Sequence, residues 1–214
     1  MYCEYNIIDI ADISGSDIDY CRRMMSDTRR QRVDRLRFEK SRRQTVGGEL
    51  LARRMIASRC GIAPESISFS LTELGKPYAA ELPVEFSISH SGDFVLCALS
   101  DHPVGADIER IRDVSDRLVS YVCSEDEMRF LSENGILEDE RKRRFFRVWT
   151  AKEAYYKYIG TGITCLRDVN TLAPDFQRKL KWFYYGGYAV SIFGDSVLSL
   201  KKKNRRVGGG YEEK

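Results

Sequence analysis

Apolar residues recur at intervals of three and four positions across the first third of the chain. This spacing lines one face of an α-helix, and Gly61 supplies a residue that commonly ends helices, so the pattern predicts a helix over residues 26–61. Later segments read as strands, because β-branched and aromatic residues are frequent in them and turn-forming residues separate them. The predicted strands are residues 67–71, 85–89, 94–100 and 104–108.

After residue 111 the pattern becomes helical again. It predicts helices over residues 115–134 and 141–159, and then a hairpin of residues 188–193 and 197–201 that turns at Gly194-Asp195. A helix and strands, followed by further helices and strands, indicate an α+β fold with a mixed or antiparallel sheet. The sequence shows no internal repeat and no flexible linker.

Composition narrows the class of protein. Of the 214 residues, 43% are apolar and 31% are charged, which is typical of a folded globular chain. The start carries no basic segment followed by a long apolar stretch, and no apolar run reaches about 18 residues. We therefore expect a cytoplasmic protein with no membrane association. The six cysteines are scattered without a C-x-x-C pair, which favours reduced thiols over a zinc site.

The net charge is only +3, but its distribution is uneven. Eight arginines and lysines fall within residues 29–43, and this segment allows one alternative function, a nucleic-acid-binding module. We disfavour that alternative, because the carboxylates described next would repel a nucleic-acid backbone. A second basic cluster and three consecutive glycines follow residue 200, so we expect residues 201–214 to form a basic, flexible tail.

Asp107 and Glu109 lie two positions apart on a predicted strand. Side chains alternate along a strand, so both carboxylates point to the same face. Two carboxylates on one face repel each other unless a cation lies between them, and hard oxygen ligands suit Mg²⁺. An isolated Asp-x-Glu is more commonly a solvated strand end, and that reading stays open from these two residues alone.

Glu153 and Lys157 form an i, i+4 pair on the predicted helix of residues 141–159. Such a pair is commonly a surface salt bridge that stabilises a helix by a few tenths of a kcal/mol, roughly 0.3. The helix is rich in aromatic residues, however, which indicates that much of it is buried. A buried carboxylate requires a partner or a metal ion.

Two further segments combine turn chemistry with phosphate-binding groups. His90 lies between Ser89 and Ser91 at a strand end, where hydroxyls and an imidazole could donate hydrogen bonds to a phosphate. The turn Gly75-Lys76-Pro77 offers an ammonium group beside a fixed backbone. Each segment could equally be structural, as a hydrogen-bonded histidine or as a plain loop.

Taken together, these motifs resemble the 4′-phosphopantetheinyl transferases of the larger, surfactin-synthetase-activating type. The resemblance covers about residues 26–162 and rests on five segments in the expected order. It implies two similar α+β subdomains related by a pseudo-twofold axis, residues 1–103 and 104–200, with coenzyme A in the cleft between them. The matching segments are residues 75–77 (Gly-Lys-Pro), 86–91 (Phe-Ser-Ile-Ser-His-Ser), 104–109 (Val-Gly-Ala-Asp-Ile-Glu), 149–153 (Trp-Thr-Ala-Lys-Glu) and 157–162.

The resemblance also implies a reaction, the transfer of the 4′-phosphopantetheine arm of coenzyme A to a serine of an apo carrier protein. Asp107, Glu109 and Glu153 match the family's Mg²⁺ ligands. Glu153 also matches the base that acts on the carrier serine, directly or through water, and Lys157 matches the group that assists the leaving phosphate. Ser89 and His90 match residues that grip coenzyme A phosphates, and Lys76 and Pro77 match the turn beside the adenine and its ribose phosphate.

Within the basic segment, Arg29, Arg32 and Arg43 are the best matches to a clamp for the 3′-phosphate, although a solvated basic helix face explains each of them equally well. We expect a monomer, because one chain contains both halves of the cleft. The partner is an apo acyl or peptidyl carrier protein, which could dock on exposed parts of residues 111–135. A relative that binds coenzyme A without turnover is a further alternative, but none of the catalytic residue types is missing.

Overall fold

A computed structural model describes residues 1–133 and 135–202 as seven α-helices and nine strands, with short 3-10 turns between some of them. The α+β class predicted from the sequence is confirmed. The helices are α1 (Gly15–Met24), α2 (Asp27–Asp34), α3 (Glu39–Cys60), α4 (Asp116–Val122), α5 (Glu125–Leu131), α6 (Glu138–Ile159) and α7 (Pro174–Arg178). The strands are β1 (Cys3–Asp9), β2 (Phe69–Leu71), β3 (Pro77–Ala79), β4 (Glu85–Ser91), β5 (Phe94–Ser100), β6 (Val104–Arg110), β7 (Leu180–Tyr185), β8 (Tyr188–Gly194) and β9 (Leu200–Lys202).

The two halves of the chain repeat one order of elements: a strand, helices that include one of 22 residues, and an antiparallel hairpin. Both long helices, α3 and α6, end at a left-handed glycine, Gly61 with φ 68° and Gly160 with φ 73°. Glycine adopts this conformation without the steric cost that a Cβ would add. β6 starts the second half at Val104, and the division of the chain between residues 103 and 104 stays a prediction.

Two main sheets pack face to face between the long helices, and β2 and β3 form a separate two-stranded sheet. The first sheet has the order β4-β5-β1-β9 and the second has the order β6-β8-β7. Alternation along β5 explains the layering, because Val95, Cys97 and Leu99 face α3 whereas Leu96 and Ala98 face the second sheet. The inner layer is thus a hydrophobic core that both halves share.

The predicted strands and the second long helix lie close to their predicted positions, but the other two predicted helices are broken. Residues 115–134 form α4 and α5, which Cys123 and Ser124 separate. Residues 26–61 form α2 and α3 with a break near residues 35–38, where Phe38 is the extended residue before α3. The reason is packing: α2 buries only Val33, so no apolar stripe carries the helix through this stretch. The short strand β3 and the early elements β1 and α1 were not predicted.

The predicted hairpin of residues 188–193 and 197–201 is wrong. β8 instead pairs with β7, and the chain turns at Gly186 and Gly187, which have φ of 51° and 82°. The last strand, β9, crosses to the other sheet and runs parallel to β1. Lys201 and Lys202 of the predicted tail belong to this strand, and the rest of that prediction, residues 203–214, lies outside the described part of the chain.

Among the helices described, none has the length and apolar character needed to cross a membrane.

Candidate active site

The candidate site lies where β4, β6 and α6 meet, at the junction of the two halves. Gly105 on β6 allows α6 to approach closely, because a Cβ built there would lie 1.8 Å from the Ala154 carbonyl oxygen. This approach places Glu153 and Lys157, one helical turn apart on α6, beside the strand that carries Asp107 and Glu109. The side chains predicted from separate segments are therefore brought together.

Asp107 is almost fully buried, with 3% of its surface exposed, and its two carboxylate oxygens differ. Oδ1 accepts hydrogen bonds from the Lys157 ammonium at 2.6 Å and from the Ser89 hydroxyl at 2.6 Å. Oδ2 is buried and has no hydrogen-bond partner within the described residues. An unpaired buried carboxylate oxygen is costly, and such an oxygen commonly serves a bound cation or substrate.

Glu109 lies at the more open end of β6. Its Oε2 accepts a hydrogen bond from the Ser91 hydroxyl at 2.7 Å, and the Arg112 guanidinium lies 3.4 Å from the same oxygen. Both contacts fall on one oxygen of the carboxylate.

Glu153 is the titrating group that stands out in this cluster. Burial raises its pKa to about 7, and repulsion from Asp107 and Glu109 adds to that rise while Lys157 opposes it. No group in residues 1–133 or 135–202 donates a hydrogen bond to the Glu153 carboxylate. A carboxyl group with a pKa near neutrality can gain and lose a proton at physiological pH, as a general base must.

Two cavities adjoin this cluster. The larger, about 760 Å³, lies between α2, α3 and the β2-β3 hairpin, and Arg29, Arg32, Pro77 and His90 are among its lining residues. The smaller, about 250 Å³, is lined by Lys76, Pro77, Glu153 and Lys157 together with apolar side chains. The turn at Gly75, with φ of 83°, lines both cavities, so the two cavities share a wall there.

The side chains predicted to bind phosphate differ in their surroundings. Partial burial lowers the pKa of Lys76. Loss of hydration beside the cavity and then repulsion from Lys157 lower the pKa of His90, although His90 keeps an exposed face. The Ser89 hydroxyl is turned toward Asp107 and Lys157, so its predicted contact with a phosphate stays a prediction.

The three arginines predicted to bind the 3′-phosphate differ in position and in partners. The Arg29 guanidinium lines the large cavity while it pairs with Glu49 at 3.1 Å, and Arg32 lines the cavity without a carboxylate partner among the described residues. Arg43 is elsewhere: its guanidinium donates to the Ile13 carbonyl oxygen at 2.9 Å and pairs with Glu39 at 3.0 Å, and it does not line the cavity.

Sequence reasoning missed several polar residues of the cavity wall. Thr45, Glu49 and Arg53 follow one another at i+4 spacing on α3, and all three line the large cavity. Arg53 is 2% exposed and is fixed by Glu49 at 3.0 Å. A polar stripe along an otherwise apolar helix was the signal in the sequence that could have identified them.

The carboxylates are not gathered into a preformed metal site. In the described part of the chain, no group of three His, Cys, Asp or Glu side chains lies close enough to hold an ion. Their chemistry nevertheless fits the predicted Mg²⁺. Asp107 Oδ2 is a buried acceptor without a partner in the described residues. Burial and then neighbouring negative charge raise the pKa of Glu153, and a cation would relieve the effect of that charge.

Both halves of the chain match models of known protein families. Residues 103–192 match the family model described as the 4′-phosphopantetheinyl transferase superfamily, and residues 14–102 match the model described as 4′-phosphopantetheinyl transferase, N-terminal. The chain is 39% identical to the 4′-phosphopantetheinyl transferase gsp of Aneurinibacillus migulanus, over 54% of this chain and 48% of that protein.

Two relatives from Bacillus subtilis are matched over longer stretches. One, named 4′-phosphopantetheinyl transferase, is 29% identical over 77% of this chain and 73% of its own length. The other, 4′-phosphopantetheinyl transferase Sfp of strain 168, is 31% identical over 67% of this chain and 64% of its own length. The chain thus matches between about half and three quarters of these relatives.

Proposed function

This chain belongs to the 4′-phosphopantetheinyl transferase superfamily, and on that basis we propose that it modifies carrier proteins. The reaction moves the 4′-phosphopantetheine group of coenzyme A to a serine hydroxyl of an apo carrier protein and releases adenosine 3′,5′-bisphosphate. The observation that supports it most is that the large cavity, lined by Arg29, Arg32 and His90, shares a wall with the small cavity, which is lined by Glu153 and Lys157.

The large cavity suits the nucleotide end of coenzyme A. Its volume of about 760 Å³ is in the range of small-molecule sites, and cationic side chains line it. Arg29 and Arg32 contact the 3′-phosphate in this proposal, because guanidinium groups match phosphate oxygens in geometry and charge. His90 and Lys76 meet the remaining phosphates, and the smaller cavity receives the part of the coenzyme that reacts.

Glu153 and Lys157 carry the proton and charge transfers. Glu153 removes the proton of the carrier serine, directly or through one water molecule, as the serine oxygen bonds to the phosphorus of the pantetheine phosphate. The bond from that phosphorus to the leaving phosphate breaks at the same centre. Lys157 stabilises the negative charge that develops on the departing adenosine 3′,5′-bisphosphate.

Asp107, Glu109 and Glu153 would hold the Mg²⁺ that this proposal includes. When bound, the ion neutralises charge on the diphosphate. Asp107 Oδ2 is unpaired within the described residues, and the charges of Asp107 and Glu109 add to the effect of burial on the pKa of Glu153, but the three carboxylates must draw closer to share one ion.

The protein acts as a monomer in the cytoplasm, and its partner is an acyl or peptidyl carrier protein. One chain supplies both halves of the site, so a second copy is not needed to complete it. All six cysteines are free thiols, as is usual in a reducing compartment. Neither nucleic acid nor a membrane is part of the proposal, and several residues of the segment 29–43 are engaged within the protein, among them Arg29, Arg30, Lys40 and Arg43.

The test is incubation with coenzyme A, Mg²⁺ and a panel of apo carriers from fatty-acid, polyketide and peptide synthesis, read by mass spectrometry of the carrier serine. We expect a phosphopantetheine adduct on at least one carrier. Asp107→Asn should lower the rate by about 100-fold or more, because the isosteric amide has no negative charge with which to attract a cation or form an ion pair with Lys157. Asp175→Asn, on an exposed surface pair with Arg178, is the matched control and should retain activity. Absence of an adduct on every carrier would refute the function.

A further inference from the structure

Three serines at alternate positions of β4 point across the junction toward β6. The two strands belong to different sheets, and no backbone ladder joins them in the described residues. Instead, backbone N–H groups of β6 donate hydrogen bonds to serine hydroxyls of β4. Ser87 Oγ accepts a hydrogen bond from the Ala106 N–H at 3.0 Å, and Ser91 Oγ accepts one from the Arg110 N–H at 3.1 Å.

Two of these serines also donate to the carboxylates of the site. The Ser89 hydroxyl donates to Asp107 at 2.6 Å, and the Ser91 hydroxyl donates to Glu109 at 2.7 Å. A hydroxyl has one proton, so neither serine can donate to another group while these bonds hold. Within the described residues the Ser87 hydroxyl contacts no carboxylate, so it links the two strands without orienting an acid.

The two acids are held in the same way. In each acid, one carboxylate oxygen accepts two hydrogen bonds. Asp107 Oδ1 accepts from Ser89 and Lys157, and Glu109 Oε2 accepts from Ser91 and Arg112. The other oxygen of Asp107 is buried without a partner. Holding one oxygen fixes the plane of a carboxylate and directs the second oxygen to one place.

We propose that Ser91 is a positioning residue for Glu109, as Ser89 is for Asp107, and that the two serines present the free carboxylate oxygens to the divalent cation. The inference rests on the proposed function for the identity of that cation. Ser91 is the more informative of the pair to test, because within residues 1–133 and 135–202 its hydroxyl is hydrogen-bonded to Glu109 and the Arg110 N–H alone.

The first experiment measures Mn²⁺ binding at saturating coenzyme A, without a carrier, from the electron paramagnetic resonance signal of the free ion. This readout requires no turnover. Ser91→Ala should weaken Mn²⁺ binding by about 10-fold, the usual effect of losing a hydrogen bond that orients a metal ligand. Ser91→Thr keeps the hydroxyl and should bind within about twofold of the wild type.

Ser87→Ala is the matched control, because it removes a hydroxyl that bridges the same two strands without touching an acid. It should leave the Mn²⁺ affinity within about twofold of the wild type, whatever it does to stability. Unchanged Mn²⁺ binding in folded Ser91→Ala, or an equal loss in Ser87→Ala, would overturn the positioning role.

A second measurement separates this inference from the proposed function. Ser91→Ala, Glu109→Ala and the double variant are unfolded in urea without ligand or metal, because alanine at either position removes the contact. Coupling of about threefold or more in the unfolding equilibrium constant supports the contact, and additive effects overturn it. A wild-type protein that binds no coenzyme A would refute the proposed function, while this cycle would still decide whether Ser91 holds Glu109.

Discussion

Glu153 bears opposing electrostatic influences. Burial and the negative charges of Asp107 and Glu109 favour its neutral form, whereas the Lys157 ammonium favours the carboxylate. Lys157 cannot fully offset the repulsion because its nitrogen is engaged by Asp107 at 2.6 Å. The result is a pKa raised from 4.5 to about 7, which suits proton transfer near neutral pH.

This raised pKa makes the stability of the protein depend on pH. Between pH 4.5 and 7 the folded state holds a proton on Glu153 that the unfolded state has lost, so the free energy of unfolding falls as the pH rises through this window. Above the folded pKa the contribution is constant. Each pKa unit corresponds to about 1.4 kcal/mol, and partial exposure reduces the total to the order of 1–2 kcal/mol.

Urea unfolding of the wild type and of Glu153→Gln, across pH 4.5–8 in the presence of a chelator, measures this effect. The glutamine variant cannot titrate at this position, so it should gain stability relative to the wild type as the pH rises toward 7. A constant difference between the two proteins would contradict the raised pKa. Titrating groups distant from Glu153 are common to both proteins and cancel in the comparison, whereas Asp107, Glu109 and Lys157 are coupled to Glu153 and contribute to the measured difference.

At the level of elements, the approach of α6 to β6 sets the position of the site. The approach depends on Gly105, where a Cβ would lie 1.8 Å from the Ala154 carbonyl oxygen and 2.5 Å from the Tyr158 backbone nitrogen. Gly105→Ala should therefore force the helix and strand apart and lower the free energy of unfolding by about 3 kcal/mol or more. Gly15→Ala, at the start of α1 with open space around it, should change it by less than about 1 kcal/mol.

Denaturation in urea tests this pair of variants, with transfer activity as the second measurement. The Gly105 variant should lose activity even where it remains folded, since Glu153 and Lys157 would move away from Asp107. Equal stability of the two alanine variants would show that α6 can shift without cost.

A buried ion pair ties α6 to the elements around it. Lys152 and Glu127 are both 0% exposed, with Nζ and Oε2 2.5 Å apart, and Lys152 also donates to the Val122 and Leu166 carbonyl oxygens. Removing one partner of a buried pair leaves an uncompensated charge. Lys152→Met should therefore cost about 3–5 kcal/mol of stability.

The surface pair of Arg178 and Asp175 provides the comparison. Its side chains are 71% and 85% exposed, so Arg178→Met should change the free energy of unfolding by less than about 0.5 kcal/mol. Thermal or urea unfolding of both variants gives the two values. A loss for Lys152→Met no greater than that for Arg178→Met would show that Glu127 is relieved by water or by protonation.

Local patterns predicted the elements of the site because its residues lie in short, regular segments. Alternation placed Asp107 and Glu109 on one face of β6, and i, i+4 spacing placed Glu153 beside Lys157 on α6. The contacts between Ser89 and Asp107, and the pairing of β9 with β1, join residues far apart in the chain. Periodicity carries no information about such pairings, so the sequence could not predict them.

For the whole molecule, the shared core decides whether the two halves are independent. Ile7, Leu96 and Ala98 of the first sheet pack with Ile108 and Ile192 of the second in one cluster. Strand β9 adds a direct link, because it follows the second half in sequence but pairs with β1 of the first sheet. A subdomain separated from its partner would expose an apolar sheet face to water, which costs roughly 25 cal/mol for each Å².

We therefore expect the halves to unfold in one cooperative transition. Both tryptophans, Trp149 and Trp182, lie in the second half, so their fluorescence reports on that half alone. Cys97 is fully buried in the first sheet, and its alkylation, located by mass spectrometry, reports on the first half. In urea the two probes should give the same midpoint within error, because loss of either sheet removes the face on which the other packs. Two separated midpoints would mean that each half keeps its own core, and the junction that holds Asp107, Glu153 and Lys157 could then open while both halves remain folded.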